Sequence, residues 1–424
     1  MRRRSIVWFR SDLRLHDNQA LIEAVRASDE ILCLYVFDPR VFQAKTRFGF
    51  AKTGKHRARF ILESVQALRH SLQEHGADLI VRIGLPENVI FEFANTLKTS
   101  WVFCNRERTR DEIMVQDALE RNLWSIGQEM RYERGKMLLY TQDLPFPVTH
   151  APDSFAAFKK EVEHFVEIRN PLPVPKICQI RHDIIPGDIP TLSDFNHETD
   201  ISRYAWEFVG GESEGMRKLG EIAATNGQDH YPSSLDSSRS LSPWISHGCL
   251  SPKSIYAALV GHGFLNASNN VIASLLWRDH LRLMGKKYKN RIFQKGGPLG
   301  SPKKDDINDL ESARPWLQGQ TGIDIIDACM SQLTRTGYLA HRGRILVASY
   351  LVNDLNVNWQ IGAEFFESLL LDYDPCSNYG NWNYIAGVGP DGYKERQLNI
   401  DNQQQKLDPD GTYVQRWLPK VMEA

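Results

Sequence analysis

The sequence predicts two unlike halves, an α/β domain of Rossmann type at the N-terminus and an all-α domain at the C-terminus. Three observations carry this. Short apolar runs alternate with helix-period stretches as far as Glu133, the pattern of a parallel sheet covered on both faces. From Gly211 onward the periodicity is helical, with no strand alternation. Between them lies a proline-rich stretch, about Pro145 to Gly210, with little period except around Ser154 to Phe165, which reads as a long connection. The expected divisions are 1–140, 141–210 and 211–424.

In order, Ser5 to Arg10 reads as a buried strand and Ile31 to Phe37 as a second. Lys55 to His75 is helical, because Ile61, Val65, Leu68 and Leu72 recur at helical spacing, and Gly76 stops it. Leu79 to Ile83 reads as a strand, Pro86 to Leu97 as a helix and Trp101 to Cys104 as a strand. Thr109 to Ile126 is helical, and Met130 to Glu133 is a last short strand. The first strand–turn, WFRSDLRLHD, lacks a glycine-rich phosphate loop, so no dinucleotide fingerprint is present. Beyond residue 211, Ile325, Cys329 and Leu333 share a helical face, and Ile345 to Leu351 and Gly362 to Leu371 are further apolar helices.

Composition narrows the function. The 424 residues allow two or three domains. The formal net charge of -1 gives no overall basic field, so a nucleic-acid site needs a local patch. Six scattered cysteines with no C-x-x-C pair argue against a disulfide framework, a zinc site and an iron–sulfur cluster, and no metal site is expected. No apolar run is long enough to span a membrane, and MRRRS is too short for a targeting peptide, so a reducing cytoplasmic compartment is expected.

The densest chemistry lies in LLLDYDPCSNYGNWNYIAGVG, Leu369 to Gly389. Acids (Asp372, Asp374), amides (Asn378, Asn381) and aromatics (Tyr373, Tyr379, Trp382, Tyr384) crowd among glycines. Buried acids and amides orient a polar ligand, and aromatics offer stacking faces and oxidisable rings. A polar surface loop after a helix is the plainer alternative. Gly387 to Gly392 matches G-x-G-x-x-G but follows no strand, and it reads as a turn.

This stretch, together with SIVWFRSDLRLHDNQAL, TGKHRARFILESV, SPWISHGCLSPKSIY, LLWRD, TGIDIIDACMSQLTRTGY, HRGRILVASYLVNDL and DGTYVQRWLP, resembles the photolyase/cryptochrome family, most closely the DASH cryptochromes. The resemblance covers essentially the whole chain. It implies FAD held bent inside the helical domain. Asp372 and Asp374 would accept from ribose hydroxyls or amino groups, Arg344 would pair with Asp372, and Asn378 would face the flavin N5, with Arg278 and His341 beside them. Ser238, Arg239, Ser240, Leu241 and Ser242 would cradle the pyrophosphate, with Arg239 standing where the family has a second hydroxyl. Trp382 and Trp359 match the first two members of the family's electron-transfer chain. The third position holds Asp306, so the surface end of the relay is altered: either a tyrosine or another tryptophan substitutes, or photoreduction is slow.

The same resemblance implies DNA binding by a basic rim of Arg278, Arg282, Lys286, Lys289, Arg342, Arg344, Lys394 and Arg396, with Trp277 and Tyr384 stacking on a flipped pyrimidine dimer. A charged helix face that is merely solvated is the alternative. Ser274 replaces a glutamate that hydrogen-bonds the dimer in repair-active relatives, and His341 replaces an asparagine. Glu107 aligns with the glutamate that holds a methenyltetrahydrofolate antenna; an exposed glutamate opening a helix would equally serve the helix dipole. The expected function is blue-light-driven electron transfer from reduced FAD to cyclobutane pyrimidine dimers, preferably in single-stranded DNA, by a monomer. The alternative is a photoreceptor that binds FAD without repair. A flavin-free nucleic-acid-binding module would purify colourless.

Overall fold

The computed structural model describes residues 2–180, 184–199, 208–224, 235, 240–261, 270–300, 306–391 and 397–418. The first part runs β1 (Arg4–Phe9), α1 (Gln19–Ala27), β2 (Glu30–Phe37), α2 (Pro39–Phe42), α3 (Lys55–Glu74), β3 (Leu79–Ile83), α4 (Pro86–Leu97), β4 (Trp101–Asn105), α5 (Arg110–Trp124) and β5 (Glu129–Glu133). The strands form one parallel sheet in the order β3-β2-β1-β4-β5. Side chains alternate across it, as the strand period requires. Ile6, Trp8, Leu32 and Leu34 pack with Ile90 and Ala94 of α4 and with Leu119 and Leu123 of α5. Val7, Phe9, Ile31 and Cys33 face the other way, toward Leu21 and Ala24 of α1 and Phe60, Val65 and Leu68 of α3.

In this part the expected strands and helices are present to within a residue or two at each end, whereas the helices expected at Ile345 and Gly362 begin earlier, at His341 and Trp359. Helix α1 was not expected; Asn18 caps it by accepting from the Leu21 N–H at 3.1 Å. Thr109 and Glu112 close a capping box on α5.

The rest is helical: α6 (Phe155–Phe165), α7 (Glu212–Ala224), α8 (Ser242–Ser246), α9 (Pro252–Gly261), α10 (Asn270–Tyr288), α11 (Leu310–Gln318), α12 (Asp324–Thr336), α13 (His341–Ser349), α14 (Trp359–Leu369), α15 (Pro375–Ile385), α16 (Ile400–Leu407) and α17 (Thr412–Trp417). The apolar cluster under β1 and β2 continues without a break into Leu241, Trp244, Leu275, Leu283 and Leu371. A second cluster, around Trp316, Leu333, Val347, Ile361, Phe366 and Trp382, fills the helical bundle.

The turn after β1 is the seam between the parts. Arg14, 1 % exposed, donates to the carbonyls of Gly248 (2.8 Å), Gly135 (2.9 Å) and Asp17 (3.0 Å). Asp17 pairs with Lys253 at 2.7 Å and accepts from Ser251. Glu212 of α7 accepts from the N–H groups of Leu15 (2.8 Å) and His16 (3.1 Å). Gly248 sits at φ +70, and an added Cβ would meet the Ser11 carbonyl oxygen at 2.2 Å, so both the dihedral and the close approach require glycine.

Candidate functional site

The loop between α14 and α15 delivers Asp372 into the protein. His247 Nε2 bonds the Leu371 carbonyl at 2.7 Å, and Ser246 Oγ donates to the Asp372 carbonyl at 2.8 Å. The backbone is thus fixed from α8. The Asp372 side chain is buried. Its Oδ2 accepts from Arg344 Nη2 at 2.8 Å and from Ser242 Oγ at 2.5 Å. Arg344 is itself anchored, its Nε donating to the Leu339 carbonyl at 2.6 Å, and its guanidinium lies over the Tyr338 ring. Burial works against the Arg344 charge, but Asp372 and Tyr338 outweigh it and raise its pKa. Asp372 Oδ1 is buried with no hydrogen-bond partner among the described residues. A buried carboxylate oxygen left over in this way fits a ligand hydroxyl or N–H.

Asn378 stands on the first turns of α15, buried beside α14. Its Nδ2 donates to the Ala363 carbonyl at 2.9 Å. That bond fixes the amide and leaves Oδ1 as an acceptor and the second Nδ2 hydrogen as a donor for a ligand. Asp374 caps α15 through the Ser377 N–H at 2.8 Å and binds Arg282 Nη1 at 2.7 Å through its other oxygen. Burial opposes its ionisation, but Arg282, Arg278 and Lys136 together hold it well below the usual carboxylate range. Ser240 Oγ and Ser242 Oγ lie 2.9 Å apart beside this group, and Leu241 is buried at the start of α8. Ser238 and Arg239 lie outside the described residues, as do Lys394 and Arg396.

Trp277 and Tyr384 meet edge to face at 6.0 Å, and Trp277 Nε1 donates to Asn381 Oδ1 at 3.1 Å. Ser274 is exposed one turn earlier on α10. His341 and Arg342 open α13, both exposed. Desolvation of the His341 ring, with Arg344 and Arg342 nearby, lowers its pKa.

The basic rim needs correction. Arg282 is 3 % exposed and spans the interior, reaching Asp374 on one side and Glu107 Oε2 at 3.3 Å on the other. Arg278 turns inward too, its Nη1 donating to the Lys136 carbonyl at 2.7 Å. Arg344 serves Asp372. Lys286, Lys289 and Arg342 remain as exposed cations. Helical spacing told which residues share a face, but the face looks onto the α/β part, where Glu107 waits. Glu107 needs the same correction. It is 2 % exposed, with Lys136 on Oε1 and Arg282 on Oε2. Burial raises its pKa, but Lys136, Arg282 and Arg10 outweigh this and hold it at about 2. It is not an exposed helix-opening residue, and its carboxylate already holds two cations.

Trp382 and Trp359 are both buried. Trp382 lies against Gly362, three residues along α14 from Trp359, so close that an added Cβ would meet its Cη2 at 2.2 Å. Trp359 Nε1 donates to the Lys295 carbonyl at 3.0 Å, and the Lys295 side chain pairs with Asp306. The sequence reading missed Ser246, His247, Tyr338 and Lys136. Ser246 and His247 lie within SPWISH, where adjacent polar residues at the end of an apolar turn were the available signal.

Comparison with known proteins agrees with this architecture. Residues 5–176 match the DNA photolyase family, and residues 271–424 match the FAD binding domain of DNA photolyase. The chain is 39% identical over 431 residues to a cryptochrome DASH of Gloeobacter violaceus, covering 98% of this chain and 85% of that protein. It is 38% identical over 437 residues to a cryptochrome DASH of Synechocystis sp., covering 98% and 87%. A crystal structure of a Synechocystis cryptochrome superposes with a TM-score of 0.92 at 37% identity, over 98% of this chain and 89% of that one. An archaeal photolyase from Sulfolobus tokodaii, described with two FAD molecules, superposes at 0.82 with 27% identity, over 99% and 91%. The chain belongs to the photolyase/cryptochrome family and is a photolyase-like flavoprotein of the DASH cryptochrome group, with a C-terminal FAD-binding domain.

Proposed function

We propose that this protein uses blue light to drive an electron from reduced FAD to a cyclobutane pyrimidine dimer, preferably in single-stranded DNA. The observation that carries this reading is the convergence of three features. Asp372 keeps a buried Oδ1 with no hydrogen-bond partner among the described residues. Asn378 offers an acceptor, held from behind by Ala363. The Trp277–Tyr384 aromatic pair stands on the two helices that meet there, α10 and α15. Bound flavin would supply the light absorption and the one-electron chemistry. Asp372, held by Arg344, would accept from the flavin side, Ser240 and Ser242 would face the phosphates, and the Asn378 oxygen favours a ring nitrogen that carries a proton. Trp277 and Tyr384 would stack on an extruded base, and single-stranded substrate spares the cost of opening a duplex. Lys286, Lys289 and Arg342 would contribute the phosphate contacts. The two halves are read as an α/β domain and a helical flavin domain joined by a connector. All six cysteines are free, which supports a reducing, cytoplasmic setting.

A second reading, a photoreceptor that binds FAD and signals without repair, draws on Ser274. That position is exposed on α10 and carries a hydroxyl where repair-active relatives carry a carboxylate. Losing a group that stabilises charge developing on the substrate costs rate directly. The test is loss of thymine dimers from a single-stranded and a duplex oligonucleotide, with reduced, FAD-loaded protein, in blue light and in darkness. Light-dependent loss, faster on the single strand, is expected. DNA binding without any repair would overturn the enzyme and leave the photoreceptor.

A further inference from the structure

We propose that Tyr379 is the outer member of this chain's electron relay and hands its phenolic proton to Glu367 as it is oxidised. The proposal rests on the light-driven electron transfer read above. It begins with the altered third position. Asp306 is ion-paired with Lys295. The Lys295 carbonyl in turn receives the Trp359 indole N–H. Neither a peptide carbonyl nor an ion pair can give up an electron to an oxidised indole. Among the described residues, the ring packed on Trp359 is Tyr379, edge to face with centroids 6.1 Å apart. Its hydroxyl donates to Glu367 Oε2 at 3.3 Å.

Trp316 is the competing exit, with its ring 6.4 Å from that of Trp382. It is fully buried in the apolar cluster, and its N–H is held by the Val347 carbonyl at 2.9 Å. Beyond it lie only Phe365 and Phe366 among its described ring contacts. Among the described residues a cation formed there meets only a peptide carbonyl and no carboxylate at its N–H, and full burial penalises such a charge. Tyr379 differs in the one respect that matters, because a carboxylate already receives its hydroxyl. Burial raises the Glu367 pKa, which makes it a better proton acceptor, while Arg57 beside it opposes the rise. Tyr373 shares Glu367 but lies under Arg57, 4.7 Å from the guanidinium, where a positive hole is disfavoured.

The step balances as follows. Trp382 loses one electron to the photoexcited acceptor, Trp359 refills it, and Tyr379 refills Trp359. The Tyr379 O–H bond breaks, its proton forms an O–H bond on Glu367, and a neutral phenoxyl remains. An external thiol gives back one hydrogen atom, breaking its S–H bond, and two thiyl radicals combine to a disulfide. Glu367 then releases its proton to solvent.

The experiment uses FAD-loaded wild-type protein, Tyr379→Phe and Glu367→Gln, illuminated with blue light in the presence of thiol. Net photoreduction is followed together with the electron paramagnetic resonance of trapped radicals in protein grown on ring-deuterated tyrosine. The wild type should give a tyrosyl spectrum that narrows on deuteration. Tyr379→Phe should lose that signal and photoreduce about tenfold more slowly with unchanged FAD content. Glu367→Gln should retain the flavin yet slow the reaction in the same sense and alter its solvent isotope effect. Efficient photoreduction with only tryptophanyl radicals, equal in wild type and Tyr379→Phe, would overturn the proposal while leaving the light-driven reading intact. A loaded wild type that light does not reduce at all would overturn that reading and this proposal with it.

Discussion

Asp279 shows how far a single residue's environment can depart from what its letter suggests. Asp279 is 0 % exposed, with Oδ2 accepting from the Leu139 N–H at 2.8 Å, and Oδ1 lies 3.9 Å from Arg278 Nη1 without a hydrogen bond among the described residues. Burial pushes its pKa up to about 7, against the pull of Arg278 and Arg282. An unfolded chain gives up this proton near the ordinary value of about 3.9. Between that pH and 7 the folded state holds more protons, so stability falls as pH rises through the window. Asp279→Asn keeps an oxygen for Leu139 and removes the titration. Its melting temperature should therefore fall less than the wild type's from pH 5 to pH 8; equal slopes would mean that Asp279 is already ionised in the folded protein. Glu107 has the opposite sign. Its pKa is depressed to about 2, so its contribution is complete above the usual carboxylate range and is lost as pH falls toward that value. Neither sign could be read from the sequence. Composition names the carboxylates, but only the fold shows that Asp279 is buried away from water and that Arg282, 175 positions along the chain, lies against Glu107.

At the scale of elements, most of the architecture was legible. Strands of β-branched and aromatic residues, helices of period 3.6 and the capping signals are local, and local physics sets their ends. What periodicity cannot give is the partner of a face. The stripe of Arg278, Arg282 and Lys286 on α10, with Lys289 just past its end, reads from spacing as a rim toward DNA, yet its first half docks α10 against the α/β part and against the cap of α15. Arg282→Met would leave Glu107 and Asp374 buried beside one another's field with one cation removed. Breaking a buried pair this way costs about 3–5 kcal/mol. The expected readouts are a lower denaturation midpoint and weaker FAD retention, because the cap that places α15 is disturbed; unchanged retention would separate the cluster from the flavin site. Gly362 makes the parallel point for α14. Gly362→Ala drives a methyl into Trp382 at 2.2 Å and into Leu351 at 2.7 Å. Overpacking of this kind costs roughly 1–3 kcal/mol. It should shift Trp382 fluorescence and slow photoreduction more than it lowers stability, whereas a pure stability loss would show that the tryptophan's placement is tolerant.

For the whole molecule, the question is whether an α/β part and a helical part that look separable in sequence behave separately. The proline-rich connection suggests two modules, but three features weld them. One apolar cluster runs from β1 and β2 into α8, α10 and Leu371. The Glu107–Arg282–Asp374 bridge crosses between them. The WFRSDLRLHD turn, noted in the sequence only for lacking a phosphate loop, is gripped by Gly248, Ser251, Lys253 and Glu212 of the helical part. Its charged residues were visible, but no local rule tells a solvated turn from a buried seam. The prediction is that wild-type protein unfolds in a single calorimetric transition. Lys253→Met tests it at the seam, since Asp17 is 0 % exposed and would keep Ser251 and backbone donors but lose its cation. The loss of about 3–5 kcal/mol should move one undivided transition to lower temperature, with far-UV and near-UV signals shifting together. A separate early transition confined to one part would instead mean that the seam is a contact between independently stable domains. In that case the flavin site would owe its geometry to α8, α13, α14 and α15 alone.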